Sequence, residues 1–360
     1  MKVLHISLAR VKEYTNPEQW LQHIDFFTGS LEEMASLGCR VDSIHLISYQ
    51  GTLTRNGVNY HFLPLKHNSS PQLWQYAKRL APDIVIMHGL IFPLQSLLLA
   101  SFLPRSIKIV MQHHAERPLR FPKSVLQKVL DRTKVSAYLF SANDLAQPWI
   151  KAGQVARADK VYDVMEVSSR FTPAVEPERN RHANSYTYLW VGRLDDNKDP
   201  LTLVKAFASF VKERRGHKLY IVFRGGKLLN EVQSMVSQED SASIVIVGEV
   251  AHDQLQDWYR KSDFIVSTSH YEGSGTAVCE GISCGCIPIL TDIPSFRMMT
   301  NEGDVGILFN PGKAGSLHQA LTNSTEMNVS LEKQRVLELF QAKLSFKAIA
   351  RDTLNIFKKL

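Results

Sequence analysis

FIVSTSHYEGSGTAVCEGISCGCIPILTDIPSFR, residues Phe264 to Arg297, is the stretch whose reading decides the fold. An apolar, β-branched run, Phe264 to Val266, stops at small polar residues. A glycine-containing turn from Glu272 to Gly275 follows, then a short helical pattern and a second apolar run, Ile287 to Leu290. The order is strand, loop, helix, strand. Gly273 and Gly275 let the backbone pass where a side chain would block it. With Ser274 between them, they lead to amides near Thr276 that point out of a helix N-terminus, where about half a positive charge is available to an anion. Glu272 and Glu280 stand eight residues apart, one in the loop and one in the helix. Both are expected to reach the mouth of this turn, as acceptors for sugar hydroxyls beside an anion.

A second segment supports the first. VGRLDDNKDP, residues 191 to 200, sets Gly192, Arg193 and Lys198 just past a strand and just before a helix that opens on Pro200, a favoured first helical position. In isolation its cations read as surface partners of Asp195, Asp196 or Asp199. Together, E-x7-E flanked by EGSG and GCIPI, and the G-R-L-x-x-x-K pattern, resemble the donor-binding signature of retaining glycosyltransferases of family 4, built on the GT-B fold. Smaller matches fill the frame. Val247-Gly248-Glu249, followed by Asp253 to Tyr259 and Ser262-Asp263, resembles the family's base-binding stretch, and Arg224-Gly225-Gly226 stands at a strand end where the family often has a glycine pair. Ile109 to His114 resembles a strand ending in a histidine near the transferred sugar; His114 fits the spacing slightly better than His113, and both stay open. The resemblance covers Tyr186 to Leu321 residue by residue and is architectural before that.

At 360 residues the chain is too long for one ordinary core and suits two domains. Its longest apolar segment, Leu90 to Leu103, is interrupted by Pro93, Gln95 and Ser96 and falls short of the roughly 20 residues that span a bilayer. MKVLHISLAR reads as a first strand rather than a signal peptide, so the expected location is cytoplasmic. Cys39 stands alone, while Cys279, Cys284 and Cys286 have neither metal-ligand nor disulfide spacing and read as small core residues. The net charge of +7 is unevenly placed. Residues 1 to 175 hold 20 Lys and Arg against 13 Asp and Glu, whereas 176 to 360 hold 22 of each. An anionic membrane surface, an acidic or phosphorylated acceptor, or simply a solvated basic face would suit the first half. Nucleic acid ranks last, since no binding module or basic tract interleaved with aromatics is present.

Along the chain, strands are expected at Lys2–Ser7, Arg40–Ile47, Val58–Leu63, Ile84–Met87, Ile107–Met111, Ala137–Phe140 and Val161–Val167. Helices are expected at Trp20–Leu37, Pro71–Leu80, Pro93–Leu103, Ser124–Asp131 and Asn143–Ala152. This alternation implies a parallel, doubly wound sheet, and no G-x-G-x-x-G follows the first strand. Composition shifts at Ser168 to Ser185, and the alternation then restarts. The division is an acceptor-side domain at 1–170, a linker at 171–185, a nucleotide-sugar-binding domain at 186–344, and a helix at 345–360 that the resemblance sends back to the first domain. The fold class is α/β: two tandem doubly wound, Rossmann-like domains facing across a cleft.

The resemblance implies transfer of a hexosyl unit, with retention, from a nucleotide-diphosphate sugar to a hydroxyl of a glycan or lipid-linked acceptor, with no cofactor and no metal. Arg193 and Lys198 then hold the diphosphate, the amides of Gly275 and Thr276 assist, Glu280 takes the ribose, Glu272 the donor sugar, and His114 or His113 the sugar near its reacting carbon. Two departures from the pattern stand out. The family's glycine pair at the first long helix is replaced by Asn16 to Leu21, which leaves Ala9, Arg10 and Val11 as the alternative loop toward the donor. Asp292 to Ser295 replaces a second glycine pair. The first departure keeps a non-catalytic sugar-nucleotide-binding scaffold in view, and a nucleotide-sugar epimerase on the same fold is a separate alternative.

Overall fold

The computed structural model describes residues 1–174 and 185–360. The chain divides into one unit of Met1–Ser168 with Phe346–Leu360, and another of Ser169–Ser345. The linker reading falls largely on 175–184, outside the described residues. Its described start is tied to the second unit: Phe171 lies 5.2 Å from the ring of His252, and Arg260 Nε donates to the Thr172 carbonyl at 2.8 Å.

In the first unit the elements run β1 (Lys2–Val11), α1 (Pro17–His23), α2 (Asp25–Ser36), β2 (Arg40–Ile47), β3 (Gly51–Arg55), β4 (Val58–Leu63), α3 (Pro71–Leu80) and β5 (Ile84–His88). There follow α4 (Pro93–Phe102), β6 (Lys108–Gln112), α5 (Lys123–Thr133), β7 (Val135–Phe140), α6 (Gln147–Lys151) and β8 (Val161–Asp163). The sheet order is β3-β4-β2-β1-β5-β6-β7-β8, parallel except for the β3–β4 hairpin. The inner strands are apolar because helices cover them; Leu4, Ile6, Val41, Ile44, Val85 and Val110 are all buried.

Several expectations are corrected. The helix expected over Trp20–Leu37 is two, because Ile24 leaves helical geometry (φ −100°, ψ 21°), and α1 begins earlier, where the Asn16 side chain caps the amide of Glu18 at 2.8 Å. Ala9, Arg10 and Val11 are strand rather than loop, although the β1–β2 register slips between Ile6 and Arg10. The strand expected to reach Val167 ends at Asp163.

The second unit runs β9 (Thr187–Leu194), α7 (Pro200–Glu213), β10 (Lys218–Gly226), α8 (Leu229–Met235), β11 (Ile244–Gly248), α9 (His252–Lys261), β12 (Phe264–Ser267), α10 (Thr276–Ser283) and β13 (Ile287–Thr291). It continues with α11 (Pro294–Met299), β14 (Ile307–Phe309), α12 (Ala314–Ser324) and α13 (Val329–Leu339). All six strands pair in parallel, in the order β11-β10-β9-β12-β13-β14. Cys279, Cys284 and Cys286 are buried and unbridged, and burial pushes the Cys284 thiol up to about 12.

The last helix, α14 (Phe346–Phe357), belongs to the first unit and packs on α2. Gly29 makes room for it: a Cβ there would stand 2.6 Å from the Phe346 ring. Covering one such aromatic ring contributes about 1.5–3 kcal/mol.

Candidate functional site

In the second unit the site residues gather beyond the carboxyl ends of the neighbouring strands β9 and β12, where ligands of open α/β sheets bind. The loops after these strands are bonded together. Asn197 Nδ2 donates to the Tyr271 carbonyl at 3.0 Å, the His270 amide donates to the Asn197 carbonyl at 2.8 Å, and the Thr268 hydroxyl donates to the Lys198 carbonyl at 2.6 Å. Lys198 is fixed further by its amide, 3.0 Å from Asp195 Oδ1, and its ammonium donates to Glu272. The two motifs, far apart in sequence, thus meet through their charged members.

Gly275 stands at the head of α10 with φ +60°, and a Cβ on it would lie 2.8 Å from Phe296, so both backbone and space call for glycine. Gly273 and Ser274 precede it in the same loop, and Thr276 opens the helix. Glu280, one turn on, is buried, and its carboxylate oxygens accept from His252 Nε2 at 2.7 Å and from the Tyr259 hydroxyl at 2.9 Å. Burial and the charge of Glu280 raise the Tyr259 hydroxyl well above its ordinary range. Those two bonds use about half of the carboxylate's acceptor capacity. The glutamates therefore have separate partners: Glu272 faces the β9 loop and Glu280 faces α9.

The remaining residues of this unit are more open. Arg193 projects into solvent, 3.2 Å from Asp195, one of the partners weighed for it from sequence. Arg224, near the end of β10, pairs at 3.4 Å with Glu249, next to Gly248 at the end of β11; Gly192 lies within β9.

In the first unit the structure separates the two histidines. His113 is buried, stacked on Phe140 at 4.5 Å, and donates from Nε2 to the Glu116 carbonyl at 2.9 Å; desolvation lowers its pKa. His114 has a half-exposed side chain and donates from Nδ1 to Glu166, which is itself buried. Its hydrogen bond to Glu166 and that residue's charge, acting against partial desolvation, raise His114 to about 9. The loop is held by Glu116, which accepts from the amides of Leu90 at 2.8 Å and His114 at 2.6 Å. Glu166 also lies 3.2 Å from Nε2 of His88, at the end of β5, whose pKa burial lowers. His88, His114 and Glu166 present one ligand atom each within 4.8 Å of one another, a set that could hold a metal ion.

Sequence reasoning missed Glu166, His88 and His252, and it placed Tyr259 in the base-binding stretch rather than against Glu280. Glu166 sits in VMEVSS, which reads as the end of an apolar strand. A glutamate inside such a run is a signal in itself, because a buried carboxylate needs donors.

Residues 174–337 match the family model described as glycosyl transferases group 1. Two solved structures superpose on essentially the whole chain: a glycosyltransferase from Rickettsia africae (TM-score 0.72, 17% identity, 99% of this chain and 98% of that one) and Anabaena HepE in complex with UDP (TM-score 0.71, 13% identity, 100% of both). The chain has the GT-B fold. The stretch that matches the group 1 model lies within the second unit. Among curated relatives, a GDP-mannose:cellobiosyl-diphosphopolyprenol alpha-mannosyltransferase from Xanthomonas oryzae pv. oryzae is 28% identical over 129 residues, 35% of this chain and 34% of the relative. The matches span about a third of the length of the first such relatives. No helix among the described residues is long and apolar enough to cross a membrane.

Proposed function

We propose that this GT-B chain is a glycosyltransferase that moves a hexosyl unit from a nucleotide-diphosphate sugar to an acceptor hydroxyl, with retention at the anomeric carbon and without metal or cofactor. The observation that carries the reading is the meeting of Lys198 and Glu272 beside the glycine-opened head of α10, inside the segment matched by group 1 glycosyl transferases. As the bond from the anomeric carbon to the diphosphate oxygen breaks, charge builds on the diphosphate. Lys198 and Arg193, with the amides of Gly275 and Thr276, meet that charge and stabilise the transition state more than the ground state. The acceptor oxygen bonds to the anomeric carbon on the same face, and its proton passes to the departing phosphate oxygen. Glu272, released from Lys198 by the donor, accepts from sugar hydroxyls. Glu280 accepts from the ribose with its remaining lone pairs while Tyr259 holds it, and Arg224 and Gly248 lie toward the base. The sugar-contacting role that the resemblance gives a first-unit histidine falls to His114, which is accessible, rather than to His113, which is packed.

The names of similar proteins support a nucleoside diphosphate donor without selecting the base: one relative uses GDP-mannose, and one solved neighbour holds UDP. The acceptor class is a glycan or lipid-linked glycan of polysaccharide, lipopolysaccharide or glycolipid assembly, presented at an anionic membrane that suits the basic first half.

Calorimetry against UDP-, GDP- and ADP-sugars, with and without EDTA, tests the donor half. Saturable binding that survives EDTA and weakens about 10- to 150-fold in Arg193→Ala and in Glu280→Ala is the expected result, matching the roughly 1.5–3 kcal/mol of a charged hydrogen bond. Unchanged binding in Glu280→Ala removes the ribose role. Binding with no transfer to any acceptor assigns a scaffold, a reading favoured by β1 running on as strand through Val11, in a chain without the family's first glycine pair.

A further inference from the structure

The large apolar side chains left in solvent are not scattered. Of the twelve among the described residues, seven lie between Ile91 and Val129. On α4 they are Leu94, Leu98 and Phe102, at the spacing of one helical face, while Leu99 and Ala100 fill the core behind them. The helix carries no charged residue, so it is apolar on its outer stripe as well as its inner one, a pattern foreign to a water-facing helix. Phe121, at 83% exposure, opens the neighbouring stripe, which continues on α5 with Val125 and Val129; α4 and α5 pack side by side.

Charge on this stretch has one sign. From Gly89 to Lys134 the sequence holds eight Lys and Arg against two carboxylates. Neither carboxylate is displayed: Asp131 is fully buried and accepts from the Ala156 amide at 3.0 Å, and Glu116 is turned inward to the amides of Leu90 and His114. Arg105, Arg120, Lys123 and Arg132 are exposed around the apolar stripes, and Lys78 of α3 lies over the Phe102 ring at 5.4 Å.

We infer that the α4–α5 face is a membrane-seating surface, on which Leu94, Leu98, Phe102, Phe121, Val125 and Val129 enter the interfacial region of a bilayer while Arg105, Arg120, Lys123 and Arg132 hold anionic lipid headgroups. A contiguous apolar patch rimmed by cations needs an occupant that is apolar within and negative outside. A second copy of this chain brings the same positive rim and is repelled. The inference rests on the acceptor half of the reading above and is independent of the donor half.

Flotation of the full chain with phosphatidylcholine vesicles, with and without phosphatidylglycerol, at low and high salt, is the test. The expected result is binding that requires phosphatidylglycerol and weakens in high salt. It falls about tenfold or more in Arg120→Glu/Lys123→Glu, at about 1 kcal/mol per cation near the surface. In Leu98→Ser/Val129→Ser it becomes wholly salt-sensitive, and Phe121→Trp fluorescence shifts to the blue on adding anionic vesicles. Circular dichroism and donor affinity stay unchanged in all variants, so a failed surface and a failed donor site are told apart. The inference is overturned if the wild type ignores anionic vesicles at low salt, if the variants bind like it, or if light scattering finds a dimer that Leu98→Ser/Val129→Ser dissolves.

Discussion

Each unit hides a glutamate behind a more exposed histidine, and the two arrangements differ in what stands behind the carboxylate. Glu280 of the second unit is bonded to His252 at the surface and to the phenol of Tyr259 within. Glu166 of the first is bonded to His114 at the surface and lies 3.2 Å from a second imidazole, His88. A phenol whose pKa is pushed up stays neutral and gives its carboxylate a fixed donor at every ordinary pH. An imidazole neighbour can change its proton count. The inner partners thus differ: a phenol held neutral behind Glu280, and behind Glu166 an imidazole whose pKa burial lowers.

Replacing the glutamates tests that contrast most strongly. Glu280→Ala leaves the buried Tyr259 hydroxyl without its acceptor and is expected to cost about 1–3 kcal/mol in urea denaturation, besides its effect on donor binding. No measurable cost would break the comparison, since a buried phenol left without its acceptor loses stability. Glu166→Ala is expected to cost less, about 1–2 kcal/mol, because His114 can turn to water, and the loss is smaller at high pH than at neutral pH. NMR titration of His114 sharpens the point: near 9 in the wild type, it moves toward the ordinary value near 6.5 in Glu166→Gln. Because that pKa is raised on folding, the stabilisation from the pair is fully present below about pH 6.5 and is lost as pH rises through about 9. His114→Ala flattens this slope. Smallest is Arg193→Ala, whose exposed pair with Asp195 is expected to contribute within about 0.5 kcal/mol to stability while donor affinity falls, separating a binding cation from a structural one.

The same contrast explains what the sequence disclosed. The frame of the second unit was legible because it is local: a strand end, a glycine turn and a helix head lie within Phe264–Ser283, with Glu272 in the turn and Glu280 in the helix. The partners of those glutamates were not, since His252 and Tyr259 come from the preceding helix and carry no spacing of their own. In the first unit the acid and the histidine that it binds are separated by 52 positions, and only the fold joins them. Secondary structure failed where signals were weak or interrupted. β3, Gly51 to Arg55, is a short edge strand with one apolar residue, so periodicity gives it no voice. The break at Ile24 lies inside an apolar run that reads as one helix. The elements from Pro294 to Leu344 were not separated at all.

The return of α14 to the first unit has a consequence for how the chain is made. During synthesis, strands β1 to β8 leave the ribosome long before Phe346 exists to fill the notch at Gly29. The second unit, continuous in sequence, can complete itself while the first still lacks a piece of its core. Until Phe346 to Phe357 arrive, the face of α2 that α14 will cover stays open to water and to chaperones. The codons for α14, translated after the whole second unit, thus decide when the first unit is finished.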